Sequence, residues 1–259
     1  MRRIVALLLV ALPQCGLAGA PPEAYVEIPG GAFRSALRYE DKAAGVKVAP
    51  FRLMRRPVSN AQYQEFVKAR PEWLRGHAPR ALAEERYLSH WAGARDPGGA
   101  VAASQPVTWV SWFAAQAYCE AQSARLPTWQ EWEFAAAADA TRHDARADPA
   151  WRERILAWYS RPSSEPLPAT GLTPANAYGV QDLHGLVWEW VDDASALLVS
   201  SDNREQGAAD KLRFCGAAAL STDDRENYAI LMRVAMLSSL SAADATGNLG
   251  FRCAQDAPR

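Results

Sequence analysis

The chain has 259 residues, 49% of them hydrophobic and 22% charged, with ten tryptophans and a formal net charge of -1. That is enough for one large domain or two small ones, and the apolar content excludes a disordered chain. With 28 basic and 29 acidic residues and no basic stripe or polybasic run, nucleic acid and anionic membrane surfaces are set aside as partners.

The N-terminus carries the first functional signal. Arg2 and Arg3 form a positive n-region, Ile4 to Leu12 an apolar run, and Ala18-Gly19-Ala20 an A-x-A exit before Pro21. Residues 1–20 therefore read as a secretory signal peptide and 21–259 as the mature domain. The apolar run is too short for a permanent span, so a periplasmic or secreted protein without a membrane span is expected. Pro21 leaves the cleavage point free to shift by a few residues, and Gln14 beside Cys15 is a poor match to a lipoprotein signal. Cleavage removes Arg2, Arg3 and Cys15, leaving 26 basic against 29 acidic residues, a charge of -3, and three cysteines. An oxidising compartment predicts one disulfide and one thiol over among Cys119, Cys215 and Cys253, and spacing alone does not select the pair.

Along the chain, Tyr25 to Phe33 with Pro29-Gly30-Gly31 predicts two strands around a turn, and Val46 to Met54 predicts another strand. Ser59 or Asn60 caps a helix over Ala61 to Lys68 that Arg70-Pro71 stops. Residues 71–105 read as loop with a short helical piece at Arg80 to Tyr87. Pro106 to Val110 reads as extended, and Ser111 caps a helix through Cys119 to Gln122. Thr128 and Glu131 form a capping box for a third helix carrying Trp132, Phe134 and Ala135 to Ala138. Trp151 to Tyr159 reads as a helix and Pro162 to Pro174 as loop. Ser195 to Lys211 is polar and without period. Arg213 to Leu220 reads as extended, Asp223 to Leu231 as a turn of helix, and Gly250 to Cys253 as a last strand. Short elements and long connections add up to one irregular α+β domain.

The densest stretch is Asn176 to Asp193. Alternation there sets Trp188 and Trp190 on one side of an extended segment and Glu189 on the other. Glu189, among carbonyls freed by the glycine turns, is the candidate oxygen ligand for a cation, calcium first. His184 beside Asp182 could serve a metal or move a proton, but ordering a turn by hydrogen bonding is the preferred role. His77, His90 and His143 are scattered with no ligand-like spacing. Glu131 and Glu133 could be general bases, although the helix start already accounts for Glu131. The run Asp223-Asp224-Arg225-Glu226 is either a solvated loop or a reader of a charged partner segment.

Several motifs carry a resemblance. Gly30-Gly31-Ala32-Phe33, Pro57 to Tyr63, Pro106-Val107-Thr108-Trp109-Val110-Ser111-Trp112, Ala117-Tyr118-Cys119, Arg125-Leu126-Pro127-Thr128, Glu131-Trp132-Glu133, Asn176 to Asp193 and Gly250-Phe251-Arg252-Cys253 follow in order. This series resembles the formylglycine-generating enzyme (sulfatase-modifying factor) family across the whole mature chain. The resemblance implies an α+β, C-type-lectin-like fold with short strands and few helices. It also implies a Cys119–Cys253 disulfide, which leaves Cys215 as the free thiol. It implies a groove for a protein partner near Trp188, Asp224, Arg233 and Arg252, with Arg252 slightly favoured as a structural residue that pairs with a buried carboxylate.

The departures matter as much. The family's oxidases turn a substrate cysteine into formylglycine with copper held by two cysteines, and those positions fall here near Asp224 and Ala229. Soft thiolates select copper(I), and neither residue replaces one, so copper is not expected. Cysteines of a second bridge found in some members would fall near Ala136 and Val234. Leu186 stands where members often have an asparagine that helps hold calcium, so calcium stays a weakened candidate at Glu189. The leading expectation is an exported pseudoenzyme: an accessory or maturation factor for another envelope or secreted protein. Copper nitrite reductase is the closer context, from Phe214-Cys215-Gly216-Ala217, Tyr228 and Met232-Arg233, and type VI secretion the other. The alternatives are a metal-dependent oxidase of the formylglycine-generating or nonheme-iron type and a lectin-like binding module.

Overall fold

The computed structural model describes residues 24–36, 45–160, 166–196 and 228–258. Among the described residues, seven short strands make three small sheets and five α-helices lie around them. β1 (Tyr25–Ile28), β4 (Phe51–Met54) and β7 (Ala254–Asp256) form an antiparallel sheet with β4 in the centre. β2 (Gly31–Phe33) pairs antiparallel with β3 (Val46–Val48). β5 (Trp188–Glu189) pairs in parallel with β6 (Leu249–Gly250). The helices are α1 (Asn60–Ala69), α2 (Trp112–Ala121), α3 (Trp129–Ala136), α4 (Pro149–Tyr159) and α5 (Tyr228–Ser238).

Helix starts follow local chemistry. Ser59 caps α1 and closes a capping box with Gln62, and Thr128 does the same for α3 with Glu131. The Ser111 hydroxyl accepts from Ala114 N at 3.1 Å, and Asp148 caps α4 ahead of Pro149, whose missing N–H would be unpaired there in any case.

Departures from the expected elements arise where the backbone bonds to distant chain. The extended run 46–54 breaks at Ala49-Pro50, and the two halves join different sheets. Gly30 permits this corner: at φ +65 it sits so close to Val48 that an added Cβ would lie 2.3 Å from the Val48 carbonyl oxygen. No helix forms over 80–87; Glu84 N donates instead to the Ala243 carbonyl at 2.9 Å. Residues 106–110 make one isolated bridge, Ser59 with Pro106, because Trp109 turns to φ 55 and its N–H goes to the Thr246 carbonyl. The last strand is split, since the Phe251 and Cys253 carbonyls accept from Val58 and Met54. The predicted extended run 213–220, Cys215 and Asp224 lie outside the described residues; α5 begins at Tyr228 and continues beyond the single turn expected.

The main core packs α1, α2 and α3 against the strands around Leu53, Val67, Val110, Trp129 and Phe251, all buried. Cys119 on α2 and Cys253 before β7 are joined by a disulfide with a Cα–Cα distance of 5.5 Å. Among the described residues no helix is long and apolar enough to cross a membrane.

Candidate functional site

The densest stretch of the sequence becomes the floor of the site. β5 holds Glu189 fully buried at 0% exposure, and Arg252, also at 0%, meets it from the segment after β6. Arg252 donates through Nε and Nη2 to the two carboxylate oxygens, both at 2.8 Å, and Trp132 Nε1 donates to Oε2 at 2.9 Å. The remaining guanidinium N–H groups go to the carbonyls of Met54, Arg55 and Gln181. All five guanidinium N–H groups are thus paired, and the planar fork meets both oxygens of the carboxylate. The carboxylate read from the sequence as a weakened calcium ligand is engaged here by Arg252 and Trp132.

Arg233, from α5, lies over the Trp132 ring with its guanidinium carbon 3.6 Å from the centroid, and its Nη2 donates to the Glu189 carbonyl. It is 1% exposed, so Arg233 and Arg252 support the floor and do not face an open groove. Burial pulls the Arg233 guanidinium down to about 10, with Glu189 and Tyr159 opposing and Arg252 reinforcing, so it stays charged at neutral pH. Burial also raises the Tyr159 hydroxyl, to about 12, against the pull of Arg233. Trp188 is half-buried and packs on α4, 5.8 Å from Trp158 and 5.0 Å from Tyr159. Trp190 takes the core side, its Nε1 donating to the Val110 carbonyl at 2.9 Å.

Above this floor, α4 and α5 enclose a nook lined by Trp151, Ile155, Leu156, His184, Ala229 and Ile230, with Arg152 beside them. Leu156 and Met232 leave 37% and 39% of their surface exposed on these two helices. His184 Nε2 lies 2.9 Å from the Ala136 carbonyl, and Trp132 and Trp151 meet the imidazole at right angles, each with centroids 5.6 Å away. Burial drives the imidazole down to about 4; the Ala136 bond opposes this and the Arg233 and Arg252 charges add to it.

Other sequence candidates have structural partners. Glu133 is buried and accepts from Ser35 Oγ, Ala36 N and Trp129 Nε1 at 2.5, 2.7 and 2.9 Å, while burial pushes its carboxyl upward. Glu131 holds Arg125 through two bonds of 2.7 Å. His143 stacks on Tyr178 at 4.6 Å. Burial, then the Arg75 charge, lowers His90 to about 4. Among the described residues no three His, Cys, Asp or Glu side chains converge as metal ligands.

The profile of the sulfatase-modifying factor enzyme 1-like domain matches residues 17–257. The chain belongs to this family. Inactive C-alpha-formylglycine-generating enzyme 2 of Mus musculus is 29% identical over 301 residues, covering 99% of this chain and 93% of that protein. The formylglycine-generating enzyme of Streptomyces coelicolor is 31% identical over 284 residues, covering 90% of this chain and 89% of that one. Hercynine oxygenase of Mycolicibacterium smegmatis is 34% identical over 190 residues, covering 64% of this chain and 44% of that enzyme.

Ala229, near which the resemblance sets one of the two copper positions, carries a methyl group buried among Trp151, Ile155 and Tyr159, and a methyl group binds no soft metal. Leu186, expected where members often have an asparagine, is 5% exposed and apolar, and Glu189 is paired with Arg252. The face that α4 brings to the site could be read from sequence, since Trp151, Ile155 and Tyr159 recur every four residues. The stacking of Arg233 on Trp132 could not, because 101 positions of numbering separate them with no local pattern.

Proposed function

We propose that this chain is an exported, non-oxidase member of the family whose α4–α5 face docks another envelope protein and assists its maturation. The observation that supports it most is Ala229, near which the resemblance sets a copper ligand, closed into the α4–α5 nook on a scaffold that keeps its Glu189–Arg252–Trp132 floor. The signal-like residues 1–20 and the Cys119–Cys253 bridge favour a periplasmic or secreted site of action. The exposed Leu156 on α4 and Met232 on α5 give a partner apolar contact. Copper nitrite reductase is the first partner to test and type VI secretion proteins the second.

Deletion of the gene tests the reading. It predicts an exported partner that persists as polypeptide but lacks activity, and that is restored by the intact chain and not by a Leu156→Glu/Met232→Glu double variant. Full partner activity in the deletion strain would contradict it. The metal-dependent alternative draws on the hercynine oxygenase similarity; stoichiometric iron or copper in protein purified from the periplasm would favour it instead.

A further inference from the structure

We propose that the nook between α4 and α5 receives one neutral hydrogen-bond donor, a hydroxyl carried on a small aliphatic body, with His184 Nδ1 as its acceptor. The Ala136 carbonyl can only accept, so at 2.9 Å His184 Nε2 must be the protonated one. In the neutral ring Nδ1 is then a lone pair, and it is buried with no partner among the described residues. A buried acceptor left unpaired is a cost that an occupant can relieve.

The surroundings select the occupant. The ring stays uncharged at neutral pH, held down to about 4 by burial and by the Arg233 and Arg252 charges. Those fixed cations also disfavour a metal ion or an ammonium beside the imidazole. The nook has a volume of about 10 Å³, room for one water-sized group. Arg152 also lines the nook, so a bare water would meet two polar residues, the fewest it needs, while the other walls are Trp151, Ile155, Leu156, Ala229 and Ile230, which a water cannot use and an apolar body can. A hydroxyl tethered to an apolar body needs only the one bond, and Leu156 at 37% exposure meets that body outside the nook. A threonine or serine side chain of a docked polypeptide has this form.

The inference rests on the docking reading only for who carries the hydroxyl. Its test is a titration of the metal-free mature protein, followed by the imidazole nitrogen resonances of His184. The probes are N-acetylthreonine N-methylamide and its isostere N-acetylvaline N-methylamide. The expected result is an unprotonated Nδ1 in the free protein and a saturable shift with threonine that needs about tenfold more of the valine probe, the discrimination of one hydrogen bond. An equal response to both probes, no response, or a protonated Nδ1 overturns the proposal. Ala229→Leu, which fills the nook, should abolish the shift. Ala229→Ser tests the same point if the leucine variant does not fold: its hydroxyl should occupy Nδ1 and raise the melting temperature, and a lowered one counts against the proposal. A 2-propanol titration separates free alcohols, which would match threonine, from a backbone-borne hydroxyl, which alone would respond. Copper-dependent oxidation by this chain would overturn the docking reading and leave the probe titration unaffected.

Discussion

Glu189 and Arg252 lose their water together, and at 0% exposure each is the other's main compensation. Removing one partner of such a pair leaves the other charge buried, at a cost of about 3–5 kcal/mol. Glu189→Gln should therefore lower the free energy of unfolding by about that amount in urea titrations, and a loss below about 1 kcal/mol, the scale of an exposed pair, would contradict the assignment. His184 adds a pH dependence. Its folded value of about 4 lies below the ordinary 6.5, so the unfolded chain takes up the proton first as pH falls. Its contribution to stability is complete above 6.5 and is lost toward 4, and His90 acts in the same direction. The melting temperature should fall across that window, less steeply in His184→Gln, which keeps a donor for the Ala136 carbonyl; parallel curves for the two proteins would be the contrary result. Alternation in the sequence separates Glu189 from Trp190, but it cannot show that the Arg252 fork, which meets Glu189 from beyond β6, fills both carboxylate oxygens.

Elements were legible where their causes are local. Ser59, Ser111 and Thr128 cap α1, α2 and α3 through bonds that span three residues, so the helix starts can be read from sequence. Residues 80–87 could not be, because the Glu84 N–H is drawn to a carbonyl at Ala243, far along the chain. The same holds at Trp109, whose positive φ of 55 serves a bond to Thr246. For α3 the cap is testable by itself. Thr128→Ala removes the oxygen that receives Glu131 N at 3.3 Å, and it should cost about 1 kcal/mol in chemical denaturation. An unchanged midpoint would mean that the Arg125–Glu131 pair, with its two 2.7 Å bonds, fixes the helix start without it.

At the scale of the molecule, the three small sheets and five short α-helices of the described residues supply little regular hydrogen bonding between distant parts, and the Cys119–Cys253 bridge closes a separation of 134 residues. Constraining so long a loop in the unfolded chain is worth roughly 2–5 kcal/mol, so Cys253→Ser should lower the melting temperature of the mature protein clearly, as should reductant on the parent. Equal melting with and without reductant would show that the bridge does not constrain the chain. The fold was legible from its motif series. Arg233 and Arg252, expected near a groove, are buried in the floor, and the nook that Ala229 helps close was visible only once α4 and α5 were placed together. The central claim, a retained scaffold without the copper thiolates, is tested most directly by incubating the mature protein with copper(I), oxygen, a thiol reductant and a cysteine peptide, with mass spectrometry of the peptide and the Streptomyces coelicolor enzyme alongside. The account predicts that the peptide keeps its thiol; copper-dependent conversion of that thiol to an aldehyde, over more than one turnover per protein, would contradict it.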